Sequence, residues 1–257
     1  MKLLDRIIKE IPEEYLEQKI RNISVGIYMT VVKTRETGCA FTWSGGEEIP
    51  HLNSEITIMD DLRSLRAKDL IPYIHSKIPL ERTIAMATIN SLFVQLKKDV
   101  LISGNILPYL KENFKNRNIS MIGYFKFHKE VSSWSENFNI IENKAVPGTT
   151  DFNQSKSILE SSDLIFVTGV SILTNTLEEI IRLGKNSTIV LFGPTAPFSN
   201  SLLDSGVDFI TSIMPIESDL FFNSVTEGRI VPKFRHCQLK TLTKKKIKLP
   251  EKEFFQN

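Results

Sequence analysis

Between Ile119 and Ile216, short apolar runs alternate with short helical stretches, and this alternation restricts the possible folds more than any other feature of the chain. "ISMIGYF", "FNIIEN", "DLIFVTG", "STIVLFG" and "VDFITSIMPI" are each too short for a stable helix and rich in Ile, Val and Phe. A strand covered on both faces shows no polar alternation, so these runs read as strands of a buried parallel sheet. Helices are expected from about Gln154 to Glu160, in "NTLEEIIRLGK" ending at Gly184-Lys185, and in "NSLLDSG" ending at Gly206. Strands joined through helices need crossover connections, and right-handed crossovers build a doubly wound, Rossmann-like α/β sheet.

The first hundred residues read differently. "NISVGIYMTVVKT" (Asn22 to Thr34) has the β-branched, partly alternating character of one half-buried strand, and "GCAFTWSGG" (Gly38 to Gly46) follows it as a hairpin partner. A third strand is expected within "HLNSEITIMDD". Two helices follow, one around Leu62 to His75 and one from Leu80 to Lys98, entered at Pro79. In the second, Ile84, Ala87, Thr88 and Leu92 recur at helical spacing. The expected division is a small α+β domain over residues 1–105 and the Rossmann-like domain over 106–257. The opening "MKLLDRIIKEIPEEYLEQKI" is an amphipathic helix whose Leu3, Leu4, Ile7, Ile8 and Ile11 need cover, by default from their own domain and otherwise from a homodimer partner. "KTLTKKKIKLPEKEFFQN" reads as a basic, fraying tail.

Composition narrows the functional classes. A net charge of +2 over 257 residues gives no electrostatic reason to expect nucleic acid or an anionic membrane. No apolar run approaches the roughly 20 residues of a spanning helix. Cys39 and Cys237 stand far apart and read as reduced thiols, which suits a cytoplasmic protein.

Open parallel sheets bind ligands outside the carboxyl ends of their strands. Those ends are Gly123-Tyr124-Phe125, Glu142-Asn143, Thr168 to Thr174, Gly193-Pro194-Thr195 and the stretch after Ile213. Glycines there admit a ligand to the backbone, and Thr174, Asn175 or Thr176, and Ser199 or Asn200, are candidate helix caps. Each such residue is also what any fold of this class needs for its turns. Glu142, ending the second strand, stands where nucleotide-binding domains hold a ribose. The loop "GYFKFHKE" after the first strand lacks the G-x-G-x-x-G turn that seats a pyrophosphate, which disfavours NAD and FAD and leaves S-adenosylmethionine open. Tyr124 and Phe125 either stack on a planar ligand or cover the sheet. His51, His75, His128 and His236 are scattered, so a cysteine–histidine metal cluster is not expected; a metal arriving already chelated would need only polar groups. No G-x-S-x-G elbow is present. Glu142, Tyr124 and His128 are the residues placed for proton transfer.

"TGVSILTNTLEEIIRL", "VLFGPTAPFSNSLLDSGVDFI" and "IENKAVPGTTDF", with "VGIYMTVVKTRETGCAFT" and the Ala-x-x-Asn of "IAMATINSLF", resemble the heavy-metal chelation family over most of Ile23 to Glu227. The resemblance implies a Rossmann-like carboxy-terminal domain, an amino-terminal domain like that of enolase, and a pocket between them. Thr168, Gly169, Gly193, Pro194 and Thr195 would form one wall, and Gly38, Thr42 and Asn90 the other. Thr174 stands where relatives carry an asparagine, and Asn175 one place later, so the pocket is either altered here or Asn175 only begins a helix. The implied function is binding of a small polar ligand, a transition-metal chelate among the candidates. The other reading is a transferase that uses S-adenosylmethionine to build such a chelator.

Overall fold

The computed structural model describes residues 1–43, 56–58, 61–143, 146–229 and 236–250. Its strands are β1 (Asn22–Val25), β2 (Met29–Lys33), β3 (Thr37–Phe41), β4 (Ile102–Ser103), β5 (Asn118–Ile122), β6 (Asn137–Glu142), β7 (Thr150–Asp151), β8 (Leu164–Thr168), β9 (Thr188–Phe192), β10 (Phe209–Pro215) and β11 (Cys237–Leu242). Its α-helices are α1 (Leu3–Lys9), α2 (Glu13–Leu16), α3 (Ala67–Leu70), α4 (Pro79–Lys97), α5 (Leu107–Phe114), α6 (His128–Trp134), α7 (Lys156–Glu160), α8 (Val170–Leu173), α9 (Leu177–Leu183), α10 (Asn200–Asp204) and α11 (Ser218–Thr226).

The large sheet runs in the order β4-β11-β10-β9-β8-β5-β6-β7. From β10 to β7 all neighbours are parallel. With β5 at the centre, β6 and β7 lie to one side and β8, β9 and β10 to the other, which is the order of doubly wound dinucleotide folds. The winding therefore reverses between β5 and β8. Two antiparallel strands extend the far edge: β11 pairs with β10, and β4 with β11. Lys240 to Leu242, expected to fray, are thus sheet residues. Antiparallel pairing lets the chain return from α11 without another crossover.

Alternation along the strands divides the sheet's side chains between two cores. Ile165, Val167, Ile189 and Leu191 join the core containing α4, α9 and α10. Leu164, Phe166, Val190 and Phe192 join the one containing α5, α6 and α11. Each such fully buried side chain contributes about 1.5–3 kcal/mol.

The small sheet is the antiparallel meander β1-β2-β3. The single strand expected from Asn22 to Thr34 is two, because the chain reverses through Gly26, Ile27 and Tyr28, and Gly26 N–H bonds back to Met29 O at 2.8 Å. The strand expected in His51 to Asp61 falls almost wholly outside the described residues. The helix expected from Leu62 to His75 is broken into a 3-10 turn, α3 and a second 3-10 turn that contains Pro72, which has no N–H to extend a helix.

α4 is enclosed all round, with every residue from Thr83 to Val94 buried, rather than amphipathic. Val32 and Ala40 of the small sheet share its core with strands of the large sheet. α1 departs from expectation by lying on α10 of the larger half, where Arg6 donates to Ser205 Oγ at 3.0 Å and Leu3 N–H to Glu178 Oε1 at 3.0 Å. Among the described residues no helix is long and apolar enough to cross a membrane.

Candidate functional site

Asn90 occupies the seam between the two sheets. Its position near the middle of the enclosed α4 leaves it 6% exposed. One amide hydrogen goes to Cys39 O on β3 at 2.7 Å and the other to Pro194 O after β9 at 3.0 Å. With both hydrogens used, the amide cannot turn over without setting its oxygen against two carbonyls, so its orientation is fixed. Oδ1 is buried and has no partner among the described residues. A second bond closes the same seam: Phe41 N–H at the end of β3 donates to the buried Thr195 Oγ1 at 3.0 Å.

Beside these contacts lie the carboxyl ends of the parallel strands. Gly193 has φ +114°, a conformation that disfavours any side chain, and a Cβ there would meet nothing within 4 Å. Its carbonyl accepts from Ser212 Oγ at 2.9 Å. Across the switch point, Gly123 lies against Thr168, whose half-buried hydroxyl accepts from Val170 N–H at 3.3 Å. Glu142 ends β6, half-buried. Burial raises its carboxyl pKa, and the hydrogen bond from Tyr124 N–H opposes only part of that rise. Tyr124 itself is 60% exposed, with its ring on His128 and its hydroxyl 3.0 Å from Nε2. His128 Nδ1 is 2.9 Å from Phe125 O, which can only accept, so the neutral ring carries its proton on Nδ1 and takes the tyrosine's hydrogen at Nε2.

Other residues singled out in the sequence are engaged in packing. A Cβ on Gly38 would lie 2.0 Å from Ser91 N, so this glycine lets β3 rest on α4. One on Gly169 would lie 2.6 Å from Ala196 N, where the loops after β8 and β9 touch. Thr42 donates to Gly26 O at 2.8 Å and meets Thr30 Oγ1 at 3.1 Å, both inside the small sheet. Thr174 Oγ1 bonds Thr176 Oγ1 at 2.9 Å, and Thr176 makes no side-chain cap to α9. Asn175, at φ +57°, borders a small cavity under α1 with Leu3, Ile7 and Ser171. The start of α10 is capped not by Ser199 or Asn200 but by Glu10, whose carboxylate accepts from Ser199 Oγ, from Asn200 N–H at 2.8 Å and from Ser201 N–H at 2.5 Å.

Two features carried no signal in the sequence. Glu217 binds His236 Nδ1 just beyond β10 and just before β11, joining residues brought together only by the antiparallel return. A groove of about 300 Å³ opens at the opposite, amino end of β5 and β6, lined by Asn118, Asn137, Asn139 and Ser161. Among the described residues no group of three or more His, Cys, Asp or Glu is placed to hold a metal ion.

The fold and the seam define a class: a doubly wound sheet whose carboxyl edge meets a small antiparallel sheet through one buried helix. The chain belongs to the DUF364 family, described as "Putative heavy-metal chelation", whose model matches residues 106–244; a second model with the same description, DUF4213, matches residues 8–93. Two solved structures share the fold. A DUF364 protein of unknown function from Desulfitobacterium hafniense is 20% identical at a TM-score of 0.80, covering 94% of this chain and 98% of its own. One from Pyrococcus horikoshii is 19% identical at 0.80, covering 94% and 100%. No curated protein matches the chain.

Proposed function

We propose that the chain binds a small polar ligand, a metal chelate in keeping with its family's description, where α4 and β3 meet the carboxyl ends of β8 and β9. The observation that carries this reading is Asn90 Oδ1, a fixed and buried acceptor with no described partner. Leaving such an atom unmatched costs about 1–3 kcal/mol, and a donor on a ligand would recover it. The space beside the buried Gly193 supports the reading, because no other group lies within 4 Å of where its side chain would stand. Glu142 adds an acceptor on the same sheet edge, and Tyr124 and Phe41 add exposed rings at 60% and 43%. A metal carried as a chelate would be cargo, held through polar groups of its chelator.

Native mass spectrometry of gently purified protein, followed by denaturation, tests this directly. A released metal–small-molecule complex, retained less well by Thr168→Val or Glu142→Gln, is the expected result. Protein that carries nothing and whose melting temperature is unmoved by a panel of chelates of iron, nickel, copper and zinc would refute it.

A further inference from the structure

Arg82 stands near the amino end of α4, next to the wholly buried stretch that begins at Thr83, and is itself partly buried. Its guanidinium lies over the Trp43 ring, with Cζ 5.5 Å from the ring centroid. Trp43 is tied to the same helix by its own N–H, which donates to Thr83 Oγ1 at 3.3 Å. Arg82 Nε is buried and has no hydrogen-bond partner among the described residues, and no ion pair there includes this guanidinium. The exposed Arg63 and Arg229, by contrast, pair with Asp61 and Glu227. Glu81, the neighbour in sequence, is committed elsewhere: its Oε1 accepts from Thr57 N–H and Oγ1, each at 2.6 Å, and its Oε2 from Ser76 Oγ. Burial accordingly lowers the Arg82 pKa, as it does for a cation withdrawn from water without a matching charge.

We propose that Arg82 anchors a second binding site, one that takes the carboxylate of a small molecule. The ring face draws the cation but supplies no oxygen to Nε–H. A carboxylate accepts from Nε and a terminal nitrogen together, in two parallel hydrogen bonds. It also ends the isolation of the charge, which is what makes an unpaired cation costly to bury. Glu81 selects among anions. Burial raises its pKa, but the hydrogen bonds from Ser76 and Thr57 more than reverse that, so it is an ionised carboxylate one residue from Arg82. A fixed negative charge there repels a dianionic phosphate more than a singly charged carboxylate. The site is separate from the Asn90 seam, because Asn90 lies eight residues further along α4, about 12 Å at 1.5 Å per residue. Failure of either proposal therefore leaves the other intact.

The test follows the arginine Nε–H signals of the isotope-labelled, full-length chain by NMR during titration with propionate and with benzoate. The Arg82 signal is assigned by its loss in Arg82→Lys or, should that variant not fold, by through-space contact with the Trp43 ring protons. Both carboxylates should move it downfield to saturation while leaving the signal of the exposed Arg63 in place. Inorganic phosphate at matched ionic strength should need a higher concentration. Folded Arg82→Lys, which keeps the charge but loses Nε–H, should bind both carboxylates about tenfold more weakly by calorimetry. An Arg82 signal that neither carboxylate moves would overturn the proposal, as would one already at the hydrogen-bonded position in the free protein. So would saturation by phosphate at lower concentration than by carboxylate, or equal affinity in folded Arg82→Lys. The wild-type titration decides the matter even if the variant fails to fold.

Discussion

Asn90 donates both amide hydrogens across the two sheets, and its buried oxygen has no partner among the described residues. Gly38, on the strand whose Cys39 carbonyl Asn90 bonds, lets that strand pack closely on α4. Gly38→Ala would place a methyl group 2.0 Å from a backbone nitrogen, and overpacking of that kind costs about 1–3 kcal/mol or more. Chemical denaturation should show that loss; an unchanged midpoint would mean that β3 does not rest on α4 as described. Glu142 gives a second test at this scale. Burial lifts its pKa above 4.5, the Tyr124 N–H restoring only part of the shift, so the folded protein keeps this proton to a higher pH than the unfolded chain. The contribution is therefore full below the unfolded value and is lost as pH rises through the folded one. Relative to wild type, Glu142→Gln should gain melting temperature progressively as pH rises above about 4.5 and level off once the folded carboxyl is ionised. A difference that stays flat across that range would show that Glu142 is not desolvated.

At the scale of elements, the junction of α1 and α10 shows where local sequence stops being informative. Ser199 and Asn200 are good capping residues, and a cap from one of them is the natural reading of "FSNSLLDSG". Glu10 takes that place from 190 residues away, because α1 brings a full carboxylate to the backbone N–H groups that α10 leaves open. Glu10→Ala should destabilise the protein by about 1.5–3 kcal/mol in denaturant unfolding, the usual range for a charged hydrogen bond removed from such partners. A loss below about 0.5 kcal/mol, typical of an exposed surface change, would rule out the cap. The same non-local effect accounts for β11. Its "KTL" looks like the start of a tail, and only pairing with β10 makes it a strand. Five of the six parallel strands, all but the two-residue β7, and α4 were legible because burial on both faces and helical spacing are written into a few neighbouring residues. The split of β1 from β2 was not, since Gly26 in a β-branched run reads equally as strand or turn.

At the scale of the whole molecule, two cores run through both halves of the chain, and α4 is the element that both halves enclose. The doubly wound order could be anticipated from alternating strands and helices, and with it the edge where Thr168, Gly193 and Thr195 gather. Which of those residues are engaged in packing could not, because Gly38, Thr42 and Gly169 differ from Gly193 only in what stands opposite them. Asn90 entered through family resemblance, and its structural meaning lies in two carbonyls distant in sequence. A crystal structure of the protein purified without added chelators and soaked with the complex it carries tests ligand binding at the Asn90 seam most directly. Ligand density should lie within hydrogen-bonding distance of Asn90 Oδ1, beside Gly193 and Thr168. Density confined to the groove at the amino end of β5 and β6, with Asn90 Oδ1 bonded to a donor from the protein itself, would contradict it.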